Sequence, residues 1–238
     1  MEILAALAAA VPAVLWLVLF YRSDKYDPEP KRLVARTFVV GAVVGIAFAF
    51  AYQGLPFIKS GLLMAVVAAP VVEETAKFLC VRWTVYDRKE FNEPVDGMVY
   101  AAAAALGFAT VENVVYVLTG WSAGGATVGL MVLTGRSVLS VPGHAIFSSF
   151  WGLALGWSKK DRGVRPIVRV LAGLMAAMVV HGLFNYLVNM SFLGGLGFLL
   201  AVALAWRAVF LLIRRALEDS PFRDSGQLGS DEKKTFGF

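Results

Sequence analysis

The sequence predicts an all-α polytopic membrane protein, a bundle of about seven transmembrane helices. Three observations carry that reading. Of the 238 residues 58% are hydrophobic and only 16% charged, with a mean hydropathy of +0.69; an ordinary soluble domain carries about 25% charge to cover its surface. Several apolar runs reach about 20 residues, the length that crosses a hydrocarbon core about 30 Å thick. Nineteen of the 22 Lys and Arg fall in alternate loops, in the C-terminal tail or toward the adjoining ends of spans six and seven. By the positive-inside rule this puts the N-terminus outside and the C-terminus in the cytoplasm. The net charge of +5 is therefore topological, and no nucleic-acid partner is expected. The single cysteine, Cys80, excludes an internal disulfide and a thiolate metal cluster.

The first span covers residues 2–21. Its acidic start and the lack of a small-residue cleavage site distinguish it from a signal peptide. A polar loop follows, with two prolines in Tyr26-Asp27-Pro28-Glu29-Pro30. Span two covers 37–54 and closes in a turn at Leu55-Pro56. Span three covers 61–81, and a polar loop runs to Pro94. Span four covers 95–118, with a small uncharged exit at 119–127. The next apolar stretch, 128–157, is too long for one perpendicular helix; Gly135-Arg136 is expected to divide a short outer piece from span five proper, 137–157. Span six covers 167–190 and span seven 196–213. The membrane domain is thus 1–213, and 214–238 is a polar cytoplasmic tail, partly disordered.

Four spans carry ionisable groups at a depth where a charge costs several kcal/mol and marks function. Glu73, Glu74 and Lys77 lie in span three, Glu112-Asn113 in span four, His144 in span five, and His181 with Asn185 in span six. Counted from the cytoplasmic ends at 1.5 Å per residue, Glu112, His181 and His144 lie roughly 20–24 Å up and Glu74 about 12–18 Å. They form one layer, central to outer. Lys77 is one turn from both glutamates and can neutralise one of them. Pro70 and Pro142 bend their helices next to these groups. Gly97, Ala101, Ala104 and Ala105 give span four small faces for close packing.

Carboxylates and imidazoles in one layer can activate water. Imidazole and carboxylate are the usual non-thiol zinc ligands, a catalytic zinc needs three ligands and an open position, and a spare carboxylate serves as base. Without metal, a glutamate is the base, and histidine with Asn185 holds the oxyanion. Structural roles stand beside these: an ion pair for Glu73, Glu74 and Lys77, interhelical hydrogen bonds for Asn113 and the histidines, a snorkelling Arg136, and a helix cap for Asp96. The aromatic residues are read as mostly lipid-facing or interfacial. A proton-coupled transporter or a scaffold is the rival class, and no paired repeats support transport.

Together these residues resemble the PrsW family of intramembrane proteases. The resemblance rests on Glu73-Glu74-x-x-Lys77, Asp96-Gly97 leading to Gly107-Phe108-Ala109-x-x-Glu112-Asn113, Arg136 ahead of His144-Ala145, and His181-x-x-x-Asn185, with the Tyr26–Pro30 loop. More distantly the chain is similar to the CAAX prenyl endopeptidase and bacteriocin-processing superfamily, from which it departs in having Glu112 where those relatives have histidine. The resemblance implies a multi-pass protein of a prokaryotic cell membrane that cleaves a single-pass, anti-sigma-factor-like substrate near its extracytoplasmic side. It implies a metalloprotease, although the distant relatives are glutamic proteases. The expected site has Glu73 or Glu74 as base and His144, His181 and Glu112 as ligands to Zn2+. Asn185 would orient the oxyanion, with Lys77, Asn113 and Arg136 in support.

Overall fold

A computed structural model describes residues 2–54, 61–160, 164–188 and 192–223, and these are helical apart from short connections. The helices are α1 (Glu2–Tyr21), α2 (Lys31–Gly54), α3 (Ala69–Thr84), α4 (Pro94–Gly135), α5 (Val141–Ser158), α6 (Arg165–Val188) and α7 (Phe192–Glu218). Among the described residues four stretches are long and apolar enough to cross a membrane: Ile3–Tyr21, Lys31–Ala51, Pro94–Ser158 and Arg165–Val188. The third is 65 residues long and contains both spans four and five of the sequence reading. The turn expected at Leu55-Pro56 and the tail beyond residue 223 lie outside the described residues.

The outer surfaces match a lipid environment. Along α6, Ile167, Val168, Leu171, Met175, Val179 and Leu183 are exposed at a helical spacing that gives one apolar face. The centre is α4, in which every residue from Pro94 to Ala109 is buried, and which packs against α5, α2 and α1. Small residues make this approach possible. A Cβ on Gly97 would strike the carbonyl oxygen of Gly152 on α5, and one on Gly152 would strike that of Gly97.

One boundary differs from the sequence reading. Inside the exit expected at 119–127 the chain turns at Gly124-Gly125, where Gly125 has φ +66°, a conformation that suits glycine. The stretch after it folds back, so that Gly129 packs on Trp121 and Gly120 on Val132. Gly135-Arg136, the expected division, instead joins α4 to a π-helical turn, Arg136–Ser140, that runs straight into α5. The first residues of the polar tail are helical. Helix α7 continues to Glu218, and Asp219 accepts a hydrogen bond from the Trp157 indole at 3.0 Å.

The prolines explain the π turns. Pro70 and Pro142 each follow one, at Met64–Ala68 and Arg136–Ser140. A proline has no N–H and its ring crowds the carbonyl four residues back, so the wider turn relieves both problems. In each turn the next backbone N–H reaches five residues back, to Met64 and Arg136. The carbonyl thereby released takes a side-chain donor from another helix. Asn185 donates to the Ala65 oxygen at 2.8 Å, and the Trp16 indole donates to the Ser137 oxygen at 3.0 Å.

Candidate active site

Helices α3, α4, α5 and α6 bring Glu73, Glu74, Lys77, Glu112, His144 and His181 into one connected cluster. Lys77 is its hub. Its ammonium lies 2.9 Å from Glu74 Oε1, 3.3 Å from Glu73 Oε2 and 2.9 Å from His144 Nδ1, and it is fully buried. Three donors thus meet three acceptors. Beneath it, the Phe108 ring centroid lies 4.6 Å from Nζ, a cation–π contact.

An ammonium only donates, so His144 Nδ1 must accept and its proton sits on Nε2. Nε2 lies 2.8 Å from Glu112 Oε2. Arg136 holds that same oxygen at 2.7 Å and reaches Asn113 Oδ1 at 3.2 Å, with its guanidinium over the Tyr116 ring. Arg136 therefore turns inward and does not snorkel. Asn113 donates to the Ala9 carbonyl at 2.8 Å, which ties α1 to the site. Glu112 is the most open member, with 26% of its side chain exposed.

The two adjacent glutamates have different surroundings. Glu74 has four donors: Lys77 and His181 Nδ1 on Oε1, and the Ser148 hydroxyl at 2.7 Å and the Trp151 indole at 3.0 Å on Oε2. A carboxylate has about four acceptor sites, so this one is filled. Glu73 has one such donor, Lys77, at 3.3 Å. Its Oε2 also lies 3.9 Å from His144 Nδ1 and 3.9 Å from His181 Nε2. That distance is too long for a direct hydrogen bond and short enough for one water to touch both groups. His181 gives its Nδ1 proton to Glu74, so Nε2 presents a lone pair toward Glu73.

Glu73, His144 and His181 each offer a ligand atom within 4.8 Å of the others. Two imidazoles and a carboxylate are a donor set of catalytic zinc sites, so the residues fit the metal. This set contains Glu73, whereas the sequence reading has Glu112 as the third ligand. Glu112 sits behind His144, on the ring nitrogen opposite Lys77. The Asn185 amide, expected at an oxyanion, is engaged by the Ala65 carbonyl. Asp96 caps α4 by accepting the backbone N–H groups of Asn92 and Glu93, each at 2.7 Å.

Reasoning from sequence missed Ser148, Trp151 and Phe147, and gave Phe108 no role of its own. Trp151 is fully buried, and Phe147 stacks on the His181 ring at 4.8 Å. These aromatic residues line the site and do not face lipid. The available signal was phase, since Ser148 and Trp151 follow His144 by four and seven residues on one helix face.

The model of a family described as PrsW family intramembrane metalloprotease matches residues 29–213. Among curated relatives, Protease PrsW of Geobacillus kaustophilus is 33% identical over 185 residues, covering 76% of this chain and 77% of the relative. Protease PrsW of Halalkalibacterium halodurans is 29% identical over 87% of this chain and 86% of its own length. That of Clostridioides difficile is 23% identical over 96% of this chain and 98% of its own. No solved structure matches the chain.

Proposed function

This chain belongs to the PrsW family of intramembrane proteases, multi-pass proteins of the bacterial cell membrane. From that premise we propose that it hydrolyses a peptide bond of a single-pass, anti-sigma-factor-like membrane protein, with Glu73 as general base. One observation carries the choice of glutamate. Glu74 is filled by four donors, while Glu73 has one and faces both imidazoles. Water held between Glu73 and His181 gives a proton to Glu73 as its oxygen bonds to the scissile carbonyl carbon. The carbon–nitrogen bond then breaks and the same proton goes to the leaving amine. The Lys77 ammonium supplies fixed positive charge beside the developing oxyanion in a water-poor site. Glu74, Ser148 and Trp151 hold His181 and Lys77 in place, Glu112 and Arg136 orient His144, and Asn185 holds the π turn ahead of α3.

Beside the site a small cavity of about 60 Å³ between α5, α6 and α7 is lined in part by Gly143, Phe147, Val180, Phe184 and Ala205, and Phe147 touches His181. We read the topology as seven spans with the N-terminus outside, an orientation supported by the distribution of Lys and Arg.

The proximity of Glu73, His144 and His181 favours a second reading, in which these three hold Zn2+. When bound, the ion would polarise the scissile carbonyl and acidify a bound water. Cleavage of a membrane-anchored reporter by detergent-purified protein tests both readings, with metal content measured on the same sample. Full activity in metal-free, chelator-treated protein, abolished by Glu73→Gln in a folded variant, is the expected result. Activity lost to chelator and restored by Zn2+ establishes the second reading. A fully active Glu73→Gln overturns both.

A further inference from the structure

A second group of buried carboxylates lies at the far end of α4. Asp96 precedes Glu112 by sixteen residues of one helix, about 24 Å at 1.5 Å per residue. Around it gather Asp24 and Glu29, from the loop between α1 and α2, and Glu93, from the residue before α4. All four are buried, at 3%, 1%, 1% and 0% exposure. No Lys, Arg or His forms an ion pair with any of them among the described residues.

The hydrogen bonds hold the carboxylates in position without using them up. Asp24 Oδ2 accepts the Glu29 backbone N–H at 3.0 Å. Asp96 Oδ2 accepts two backbone N–H groups, and Glu29 Oε2 accepts the Tyr100 hydroxyl. In each case the second oxygen is buried without a partner: Asp24 Oδ1, Asp96 Oδ1 and Glu29 Oε1. Both carboxylate oxygens of Glu93 and the amide oxygen of Asn92 are in the same condition. Ligand atoms of Asp24, Glu93 and Asp96 lie within 4.8 Å of one another. A carboxylate fixed by one oxygen and open at the other is how outer hydrogen bonds orient a metal ligand.

We propose that Asp24, Glu29, Glu93 and Asp96 form a second cation site, which takes one hard divalent ion, Mg2+ or Ca2+, and ties the α1–α2 loop to the start of α4. The donors are all oxygen, with no imidazole or thiolate, which suits hard ions and not zinc. The open carboxylate oxygens of Asp24, Glu93 and Asp96 supply the converging ligands, and Glu29 Oε1, with water, completes the shell such ions take. The formal charge of four carboxylates otherwise has no counter-charge.

The test uses the full chain in detergent, stripped with chelator and titrated separately with Mg2+ and Ca2+. Calorimetry should give one saturable ion per chain, and thermal unfolding should shift up by several degrees. The tighter of the two titrations identifies the ion. Tb3+ should emit on tyrosine excitation through Tyr100 and be displaced by that ion. Binding should be lost in Glu93→Gln and in Asp24→Asn but kept in Glu73→Gln, which separates this site from the catalytic cluster. Two results overturn the proposal. One is ion binding unchanged in folded Glu93→Gln. The other is wild-type protein that binds neither ion and gives no Tb3+ signal, which would mean that the cluster holds protons.

Discussion

Lys77 Nζ and His144 Nδ1 meet at 2.9 Å across 67 residues of sequence. This contact fixes the histidine tautomer and ties α5 to α3 through a single buried cation. Replacing Lys77 by Met leaves Glu73 and Glu74 buried without their counter-ion. Breaking a buried pair in this way costs about 3–5 kcal/mol. Thermal melts in detergent should fall accordingly, and reporter cleavage should be lost. Lys77→Arg should not restore activity, because a planar guanidinium cannot reproduce three converging contacts from one nitrogen.

The two glutamates should separate experimentally. Glu73→Gln removes the base and should lower kcat by about 100-fold or more, with little change in melting temperature. Glu74→Gln leaves an amide facing the Trp151 and Ser148 donors and should destabilise the fold by about 1–3 kcal/mol, as well as reduce activity. Paired melts and cleavage rates check this. A Glu74→Gln variant that melts like wild type and a Glu73→Gln variant that cleaves would reverse the assignment.

Glu112 acts through His144. Glu112→Gln keeps the shape but weakens the hold on Nε2 and on Arg136, and should lower kcat/KM by about 10–100-fold. Arg136→Lys should behave similarly, since it gives up the second contact, to Asn113. The pH–rate profile should move with Glu112→Gln, because the imidazole loses its carboxylate partner. A profile that stays in place would mean that Glu112 is structural only.

Gly152→Val tests the packing that brings α4 and α5 together. The new side chain meets the Gly97 carbonyl and the Ala101 methyl, and overpacking of this kind costs about 1–3 kcal/mol. Melting temperature should drop. Cleavage should drop as well, because His144 and Glu112 ride on the two helices being forced apart.

Much of the site was legible in the sequence because charge is costly in hydrocarbon. Glu73, Glu74, Lys77, Glu112, His144 and His181 stand out against apolar runs, and the cluster unites all of them. Phase within one helix was legible too, as in the turn from Glu73 to Lys77. Trp151 and Ser148 were not, because a tryptophan or serine in a membrane helix carries no cost that marks it. The structural partner of Asn185 was hidden for a related reason. Its partner is a carbonyl released by a π turn 120 residues away, and that turn follows from how Pro70 is accommodated.

By itself, then, the sequence determined that the chain is a helical membrane protein and which polar groups must be sheltered from lipid, since transfer energies act residue by residue. The tertiary structure decided which glutamate has open valence, that Gly135-Arg136 continues into a π turn, and that acidic residues of the α1–α2 loop meet those at the start of α4. Those outcomes depend on how helices rotate and approach one another, which packing between separate segments sets and local composition does not.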